Sequence, residues 1–255
     1  MPTSPKAALA LQQGESAARR SQATGPALPL FGHVTRLMGF RLQTDLHEWA
    51  SEIGVRLPLG TKRQERIDLI ARRGILFIHV PKNAGTSVAT ALYGRALSHE
   101  SMRLFLDAAP RLARTLPSVA ILRDPVERFA SAYRYARDGG SRHRNVAPPF
   151  RDRYMRFGSV DDALDHLEQA RSLYHIDHIF RPQSWYITDR QGRPAVRHLI
   201  DLRDIAHLPD RVPELRTLRL PHLNESRSYP LTLTDRQQER IRAFYRADFA
   251  LFDGR

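Results

Sequence analysis

The sequence contains no cysteine, which excludes disulfide bonds and metal sites built on thiolates. It has no run approaching the roughly 18 consecutive apolar residues that a membrane-spanning helix needs. Residues 1–29 also lack the compact apolar core of a secretory signal. From these absences we expect a cytoplasmic protein without a membrane span, for which peripheral membrane contact is still allowed.

Lysine is scarce, because only Lys6, Lys62 and Lys82 occur among the 40 lysine and arginine residues. Arginine therefore carries nearly all of the positive charge behind a formal net charge of +13. Such a charge favours anionic partners, which include nucleic acids, anionic membranes, acidic polysaccharides and phosphorylated cofactors. The sequence has no recognised nucleic-acid-binding module and no basic stripe interleaved with stacking aromatics, so we do not expect a nucleic-acid partner.

The chain divides by composition into a leader and one domain. Residues 1–29 are rich in Ala, Ser, Gln and Pro without a sustained period, which predicts a flexible leader. Residues 30–255 are predicted to form a single domain. Within it, residues 30–73 form a helical lead-in and residues 74–255 form the core.

Apolar runs with β-branched residues alternate with helical periodicity in the core. Predicted buried strands cover residues 75–80, 119–122 and 196–202. Predicted helices cover residues 86–97, 125–137, 160–171 and 234–252. This alternation predicts an α/β fold with a central, mainly parallel sheet that is flanked by helices.

The segment after the first predicted strand has the composition of an anion-binding loop. It consists of Pro81, Lys82, Asn83, Ala84, Gly85, Thr86 and Ser87. A strand–turn–helix connection points backbone N–H groups and the positive end of a helix dipole at one place. Lys82 adds charge, and Gly85 lets a ligand approach the backbone closely. The segment is not a Walker loop, because Lys82 precedes the glycine and no magnesium-binding Asp is found. Taken alone, it could also be an ordinary connection.

A second candidate anion site follows the second predicted strand. Arg123 stands at the strand end, where its guanidinium can bind a phosphate with two hydrogen bonds. Ser131 lies eight residues further, on a nearby face of the helix that Pro125 begins. Taken alone, the segment could instead contain a local Arg123–Asp124 salt bridge and a small packing residue at Ser131.

Together the two segments resemble those of sulfotransferases that use 3′-phosphoadenosine 5′-phosphosulfate (PAPS). The similarity is greatest to the carbohydrate branch, which includes heparan and chondroitin sulfotransferases and many bacterial relatives. The resemblance implies a P-loop-like nucleotide-binding fold and transfer of a sulfuryl group without a metal. It assigns the 5′-phosphosulfate to Lys82, Asn83, Ala84, Gly85, Thr86 and Ser87. It assigns the 3′-phosphate to Arg123 and Ser131, and it places Ser226 and Arg227 in a loop that closes over the cofactor. Asn83 departs from the Ser or Thr that is usual in the family.

The resemblance also implies which residues act on the acceptor hydroxyl. His99 lies between the two cofactor segments, where relatives have the histidine general base, and Lys82 is expected to stabilise charge at the bridging oxygen. Glu100 and His178 are the alternative bases. A catalytically inactive nucleotide-binding protein and a kinase-like phosphoryl transferase are the alternative functions.

Residues 174–186 resemble a family segment that borders the acceptor cleft. The predicted acceptor contacts are His178, Arg181, Gln183 and Trp185. Aromatic, Arg and Gln side chains suit a sugar surface, although Trp185 could equally be a core residue. The resemblance implies a carbohydrate acceptor, either a polysaccharide or a glycolipid, which could be anionic or lipid-linked. A closing helix with Tyr245, Asp248 and Phe249 is expected to be structural.

Overall fold

The computed structural model describes residues 40–42, 44–141, 144–216 and 230–253. In this part of the chain, three strands form one parallel sheet in the order β1–β2–β3. The strands are β1 (Leu76–Ile78), β2 (Ser118–Leu122) and β3 (His198–Asp201). Every residue of β1 and β2 is buried, as expected for parallel strands that are covered on both faces. The predicted α/β fold is confirmed. Strands β1 and β3 are shorter than the predicted runs 75–80 and 196–202, whereas β2 begins one residue before the predicted run 119–122.

Helices precede, connect and follow the strands. Two precede β1, namely α1 (Asp45–Glu52) and α2 (Thr61–Arg73). Between β1 and β2 lie α3 (Gly85–Tyr93), α4 (Met102–Ala108) and α5 (Pro110–Thr115). Between β2 and β3 lie α6 (Pro125–Arg137), α7 (Pro148–Met155), α8 (Val160–Glu168) and α9 (Gln183–Ile187). After β3 come α10 (Leu208–Arg211), α11 (Asp235–Phe244) and α12 (Arg246–Asp253). Four 3₁₀ segments cover Leu173–His175, His178–Phe180, Leu202–His207 and Pro213–Leu215.

Local side-chain caps explain where several helices begin. The Asp124 side chain accepts from the backbone N–H of Glu127 at the start of α6. Ser159 forms a reciprocal capping box with Asp162 at the start of α8. These caps satisfy backbone donors that a helix leaves without partners in its first turn.

The last predicted helix, residues 234–252, is divided in the structure. Tyr245 interrupts it with φ −98° and ψ 22°, and its buried hydroxyl donates to the carbonyl of Phe180 at 2.8 Å. This long-range contact lies 65 residues away in sequence. Helical periodicity therefore could not reveal the break.

The buried apolar residues form two clusters, which pack against different helices and strands. One surrounds the sheet and includes Phe77 and Ile121. The other packs α6, α8 and α11 together around Phe129, Leu164 and Ile241. The two candidate anion-binding segments leave the carboxyl ends of β1 and β2, which lie side by side. Within the described ranges, no helix is both long and apolar enough to cross a bilayer.

Candidate active site

The loop between β1 and α3 adopts a backbone shape suited to an anion. Lys82 and Ala84 have φ angles of 68° and 55°, which cost about 1–3 kcal/mol each for residues other than glycine. Left-handed residues in a tight loop turn backbone N–H groups towards a common centre. Within the described residues, no side-chain hydrogen bond caps α3 at Ala84, and a helix start of this kind can present backbone N–H groups to a ligand. The N–H of Ser87 in this turn donates to the carbonyl of Ala84 at 3.1 Å.

Gly85 is required by a buried histidine beneath the loop. A Cβ atom at Gly85 would lie 2.1 Å from Cδ2 of His79, far inside van der Waals contact. The imidazole of His79 is buried, and its Nδ1 donates to the carbonyl of Leu97 at 3.0 Å. The glycine therefore lets the anion loop pack directly on His79.

Lys82 is half-buried in positively charged surroundings. Its Nζ lies 4.2 Å from the centroid of the Tyr135 ring, a favourable cation–π distance. Burial, followed by the nearby Arg123 and Arg128 guanidinium groups, lowers the pKa of Lys82 to about 8. A bound anion would relieve this repulsion.

Arg123 leaves the end of β2 and is partly exposed. Its Nε lies 3.2 Å from the Glu127 carboxylate. The alternative Arg123–Asp124 ion pair is not formed, since Asp124 caps α6 instead. Ser131 is buried on α6, two turns further along the helix. Arg123 and Ser131 thus belong to one strand–helix unit.

The Gln183 side chain joins the two loops. Its Oε1 accepts from the Arg123 N–H at 2.9 Å and from the Asn83 amide at 2.6 Å. Its Nε2 donates to the Arg123 carbonyl at 2.7 Å. The Asn83 amide also donates to the carbonyl of Ile121, at the end of β2. Gln183 is fully buried, and its amide has protein partners on both sides.

Buried Arg128 ties the same loops to residues 179–181. Its Nε donates to the carbonyl of Pro81, and its Nη2 donates to the carbonyls of Ile179 and Arg181. The guanidinium also lies 6.0 Å from the Tyr245 ring. Arg128 lies between Arg123 and Ser131 in the second candidate anion-binding segment. The segment therefore contained this residue, although its role was not predicted.

Three histidines form a row beside the loops. The His79 and His99 ring centroids are 4.2 Å apart, and those of His99 and His178 are 5.8 Å apart. The carbonyl of His79 accepts from Nδ1 of His99 at 2.9 Å, so Nδ1 carries the proton and Nε2 keeps its lone pair. Nothing in the described ranges hydrogen-bonds to Nε2.

Burial and nearby arginines keep this row neutral. Burial lowers the pKa of His99 to about 4, against the effect of its backbone hydrogen bond. Burial likewise lowers the pKa values of His79 and His178 well below the usual value. In the part of the chain that is described, no group of three His, Asp or Glu side chains is placed to hold a metal ion.

The two alternative bases differ from His99 in their surroundings. The buried carboxylate of Glu100 lies 2.8 Å from Arg63 and 2.5 Å from Arg66. It is thus held by two guanidinium groups. His178 has only long contacts, of 3.5 Å each, from its ring nitrogens to Thr44 and Tyr186. The geometry favours His99 over both.

Arg181 is buried in the protein, whereas the sequence suggested that it contacts the acceptor. Arg181 and Asp45 are both 0% exposed, and they form two hydrogen bonds of 2.8 Å each. The guanidinium lies 5.5 Å from the Tyr174 ring and 5.0 Å from the Trp185 ring. Because Arg181 and Gln183 are buried and their polar atoms are hydrogen-bonded within the protein, neither can bind an acceptor. Of the other two predicted acceptor contacts, His178 lies beside His99 and Trp185 is buried.

The closing helix holds the segment that contains Gln183. The buried carboxylate of Asp248 accepts from the N–H of Gln183 at 2.7 Å and from that of Ser184 at 2.8 Å. Together with the Tyr245 contact to Phe180, this gives Tyr245 and Asp248 the structural role expected from the sequence.

The charge of Arg144 reaches the row of histidines, although the motifs did not indicate this residue. It is exposed, and its backbone carbonyl accepts from the Tyr135 hydroxyl at 3.0 Å. Its positive charge acts on His79 and on His99, whose pKa values it helps to lower. Arg144 lies in an irregular loop outside either motif, so spacing could not place it. Ser226 and Arg227, which were predicted to close over the cofactor, lie outside the described residues.

The fold and the site together define an α/β protein with two candidate anion-binding loops at the carboxyl ends of neighbouring parallel strands. A sequence model of the sulfotransferase family matches residues 66–253. The chain belongs to this family, in its carbohydrate-type group, and is a sulfotransferase. Comparison with curated proteins gave no match. Comparison with solved structures also gave none.

Proposed function

We propose that this enzyme transfers a sulfuryl group from PAPS to a hydroxyl of a carbohydrate. The observation that carries the proposal is the junction of two cationic loops beside a neutral histidine. One loop contains Lys82 and the other contains Arg123, and Gln183 hydrogen-bonds to both. A donor with anionic groups at its 5′ and 3′ positions matches two adjacent anion sites.

In this proposal, the loop of Lys82, Asn83, Ala84, Gly85, Thr86 and Ser87 binds the 5′-phosphosulfate. Its left-handed residues and the start of α3 supply N–H donors, and Lys82 supplies charge. Arg123 and Ser131 bind the 3′-phosphate. Ser226 and Arg227 are assigned to the same donor by resemblance alone.

His99 is proposed as the general base through Nε2. The acceptor oxygen forms a bond to sulfur as the bond between sulfur and the bridging phosphate oxygen breaks. The hydroxyl proton passes to Nε2, and the leaving phosphate takes the bonding electron pair beside Lys82. Nearby donor charge would raise the pKa of His99 from about 4 and so favour proton uptake.

On the acceptor side, His178 is proposed to border the cleft, with Arg181, Gln183 and the buried Trp185 supporting it from behind. Exposed Arg144 lies where its charge reaches His99. This surplus positive charge favours a carbohydrate that carries an anionic group, whether a polysaccharide or a lipid-linked glycan.

Calorimetric titration with adenosine 3′,5′-bisphosphate in EDTA tests the donor assignment. Binding should be metal-independent, and the double variant R123A/S131A should weaken it by about 1.5–3 kcal/mol per lost charge-assisted hydrogen bond. Arg193→Ala is the control, because Arg193 is 73% exposed and its side-chain partners among the described residues are the neighbouring Asp189 and Gln191. Unchanged affinity in the double variant would refute the 3′-phosphate site. Transfer of labelled sulfate from PAPS to a panel of glycans then tests the acceptor class.

A further inference from the structure

The amide of Gln183 has an orientation that its partners determine. The N–H of Arg123 can only donate, so the oxygen of the Gln183 amide must face it. The carbonyl of Arg123 can only accept, so the amide nitrogen must face that side. The Asn83 amide donates to the same Gln183 oxygen. The Gln183 side chain therefore binds both the N–H and the carbonyl of Arg123, and also Asn83 in the loop that follows β1.

Gln183 is itself held from behind. Its backbone N–H donates to Asp248 at 2.7 Å, and its side chain is fully buried. The carbonyl of Arg181, two residues earlier, accepts from Arg128 at 2.7 Å. Gln183 thus cannot contact a ligand, yet it cannot move without displacing both anion loops.

We propose that Gln183 is a positioning residue that sets the distance between the two anion loops and so confers preference for a nucleotide with both 3′ and 5′ anions. This inference rests on the proposed donor. Each loop could bind one anion by itself, but a ligand that spans both gains affinity only if their spacing is already correct. Asn83 completes the link, because its amide nitrogen donates both to Gln183 and to the carbonyl of Ile121.

The test compares binding of adenosine 3′,5′-bisphosphate with that of adenosine 5′-monophosphate. Wild-type protein should prefer the bisphosphate. In Gln183→Ala that preference should fall by about tenfold or more, which corresponds to the loss of about one hydrogen-bonded link. Affinity for the monophosphate should change much less. Gln191→Ala is the matched control, because Gln191 lies in an exposed turn and its hydrogen bonds within the described residues go to Asp189 and Arg193.

Gln183→Glu adds a readout that a merely structural role would not produce. An ionised Glu places a second oxygen against the carbonyl of Arg123, whereas a protonated Glu can donate to that carbonyl as the amide does. The preference of this variant, relative to wild type at the same pH, should therefore recover as the pH is lowered.

The outcomes separate this inference from the donor assignment. A folded Gln183→Ala protein that keeps the full preference would overturn the positioning role alone. Should Gln183→Ala fail to fold, Asn83→Ala breaks the same link from the other loop and is judged by the same criterion. Wild-type protein that binds neither nucleotide would overturn the donor assignment, and with it this inference.

Discussion

The tautomer of His99 is determined by a single backbone contact. Its Nδ1 donates to the carbonyl of His79 at 2.9 Å, which leaves Nε2 as the basic atom. The same contact ties His99 to β1 and its following loop, since His79 directly follows β1. The candidate base and the anion loop are therefore parts of one local structure.

Two pKa values predict the pH dependence of kcat/KM. His99 must be neutral to accept a proton, and its pKa of about 4 should give an acid limb near that pH. Lys82 must be protonated, and its pKa of about 8 should give an alkaline limb. The profile of the free enzyme should thus be bell-shaped. Steady-state sulfate transfer between pH 3.5 and 10 measures it.

Variants assign each limb of the profile. His99→Ala should lower kcat by about 10²–10⁴-fold and abolish the acid limb while adenosine 3′,5′-bisphosphate still binds. Lys82→Arg should abolish the alkaline limb, because a guanidinium does not titrate there. If His99→Ala keeps near-full activity and His178→Ala or Glu100→Gln loses it, the general base is His178 or Glu100 and not His99.

At the scale of elements, the junction of β1 and α3 requires a residue without a side chain at position 85, which is Gly85. The Cβ of an alanine at Gly85 would overlap the buried His79 ring, which also supports His99. Such overpacking typically costs about 1–3 kcal/mol. We expect Gly85→Ala to lower the free energy of unfolding by this amount and to weaken nucleotide binding.

Gly60→Ala is the control for that substitution. Gly60 precedes α2, and apart from its chain neighbours no atom of the described residues lies within 4 Å of a Cβ placed there. Urea denaturation and nucleotide titration of both variants provide the comparison. Equal stability and equal binding in Gly85→Ala and wild type would show that the loop and His79 can separate.

At the scale of the whole molecule, buried carboxyl side chains of α1 bind to segments beside the candidate site. Asp45 pairs with Arg181, 136 residues later. Glu48 accepts from the N–H and hydroxyl of Ser101, which caps α4. The lead-in helix thus supports both the acceptor-side segment and the segment that follows His99.

Glu48 should make stability depend on pH. Burial raises its pKa from 4.5 to about 7, so the folded state favours the protonated carboxyl. Its contribution is complete below pH 4.5 and is lost as the pH rises through 7, by on the order of 3 kcal/mol.

Glu48→Gln removes this titration while all histidines are retained. From pH 5 to pH 8, the variant should therefore gain stability relative to wild type. Chemical denaturation of both proteins at the two pH values measures the difference. The same difference at both pH values would show that Glu48 does not titrate on unfolding.

The sequence by itself determined the α/β class, the strands, the main helix starts and the two candidate anion-binding segments. Those features are local, because apolar runs, caps and turn residues act on their immediate neighbours. The same segments were sufficient to indicate the sulfotransferase family. The placement of Lys82 and Arg123 after neighbouring strands follows from the same pattern.

Only the tertiary structure decided which polar residues face the site and which support it. Arg181 and Gln183 looked like acceptor contacts in the sequence, but their partners Asp45, Asn83 and Arg123 lie 136, 100 and 60 residues away. The break at Tyr245 and the row of histidines likewise depend on distant packing. Sequence spacing carries no information about such contacts, since they form only when the sheet brings separate loops together.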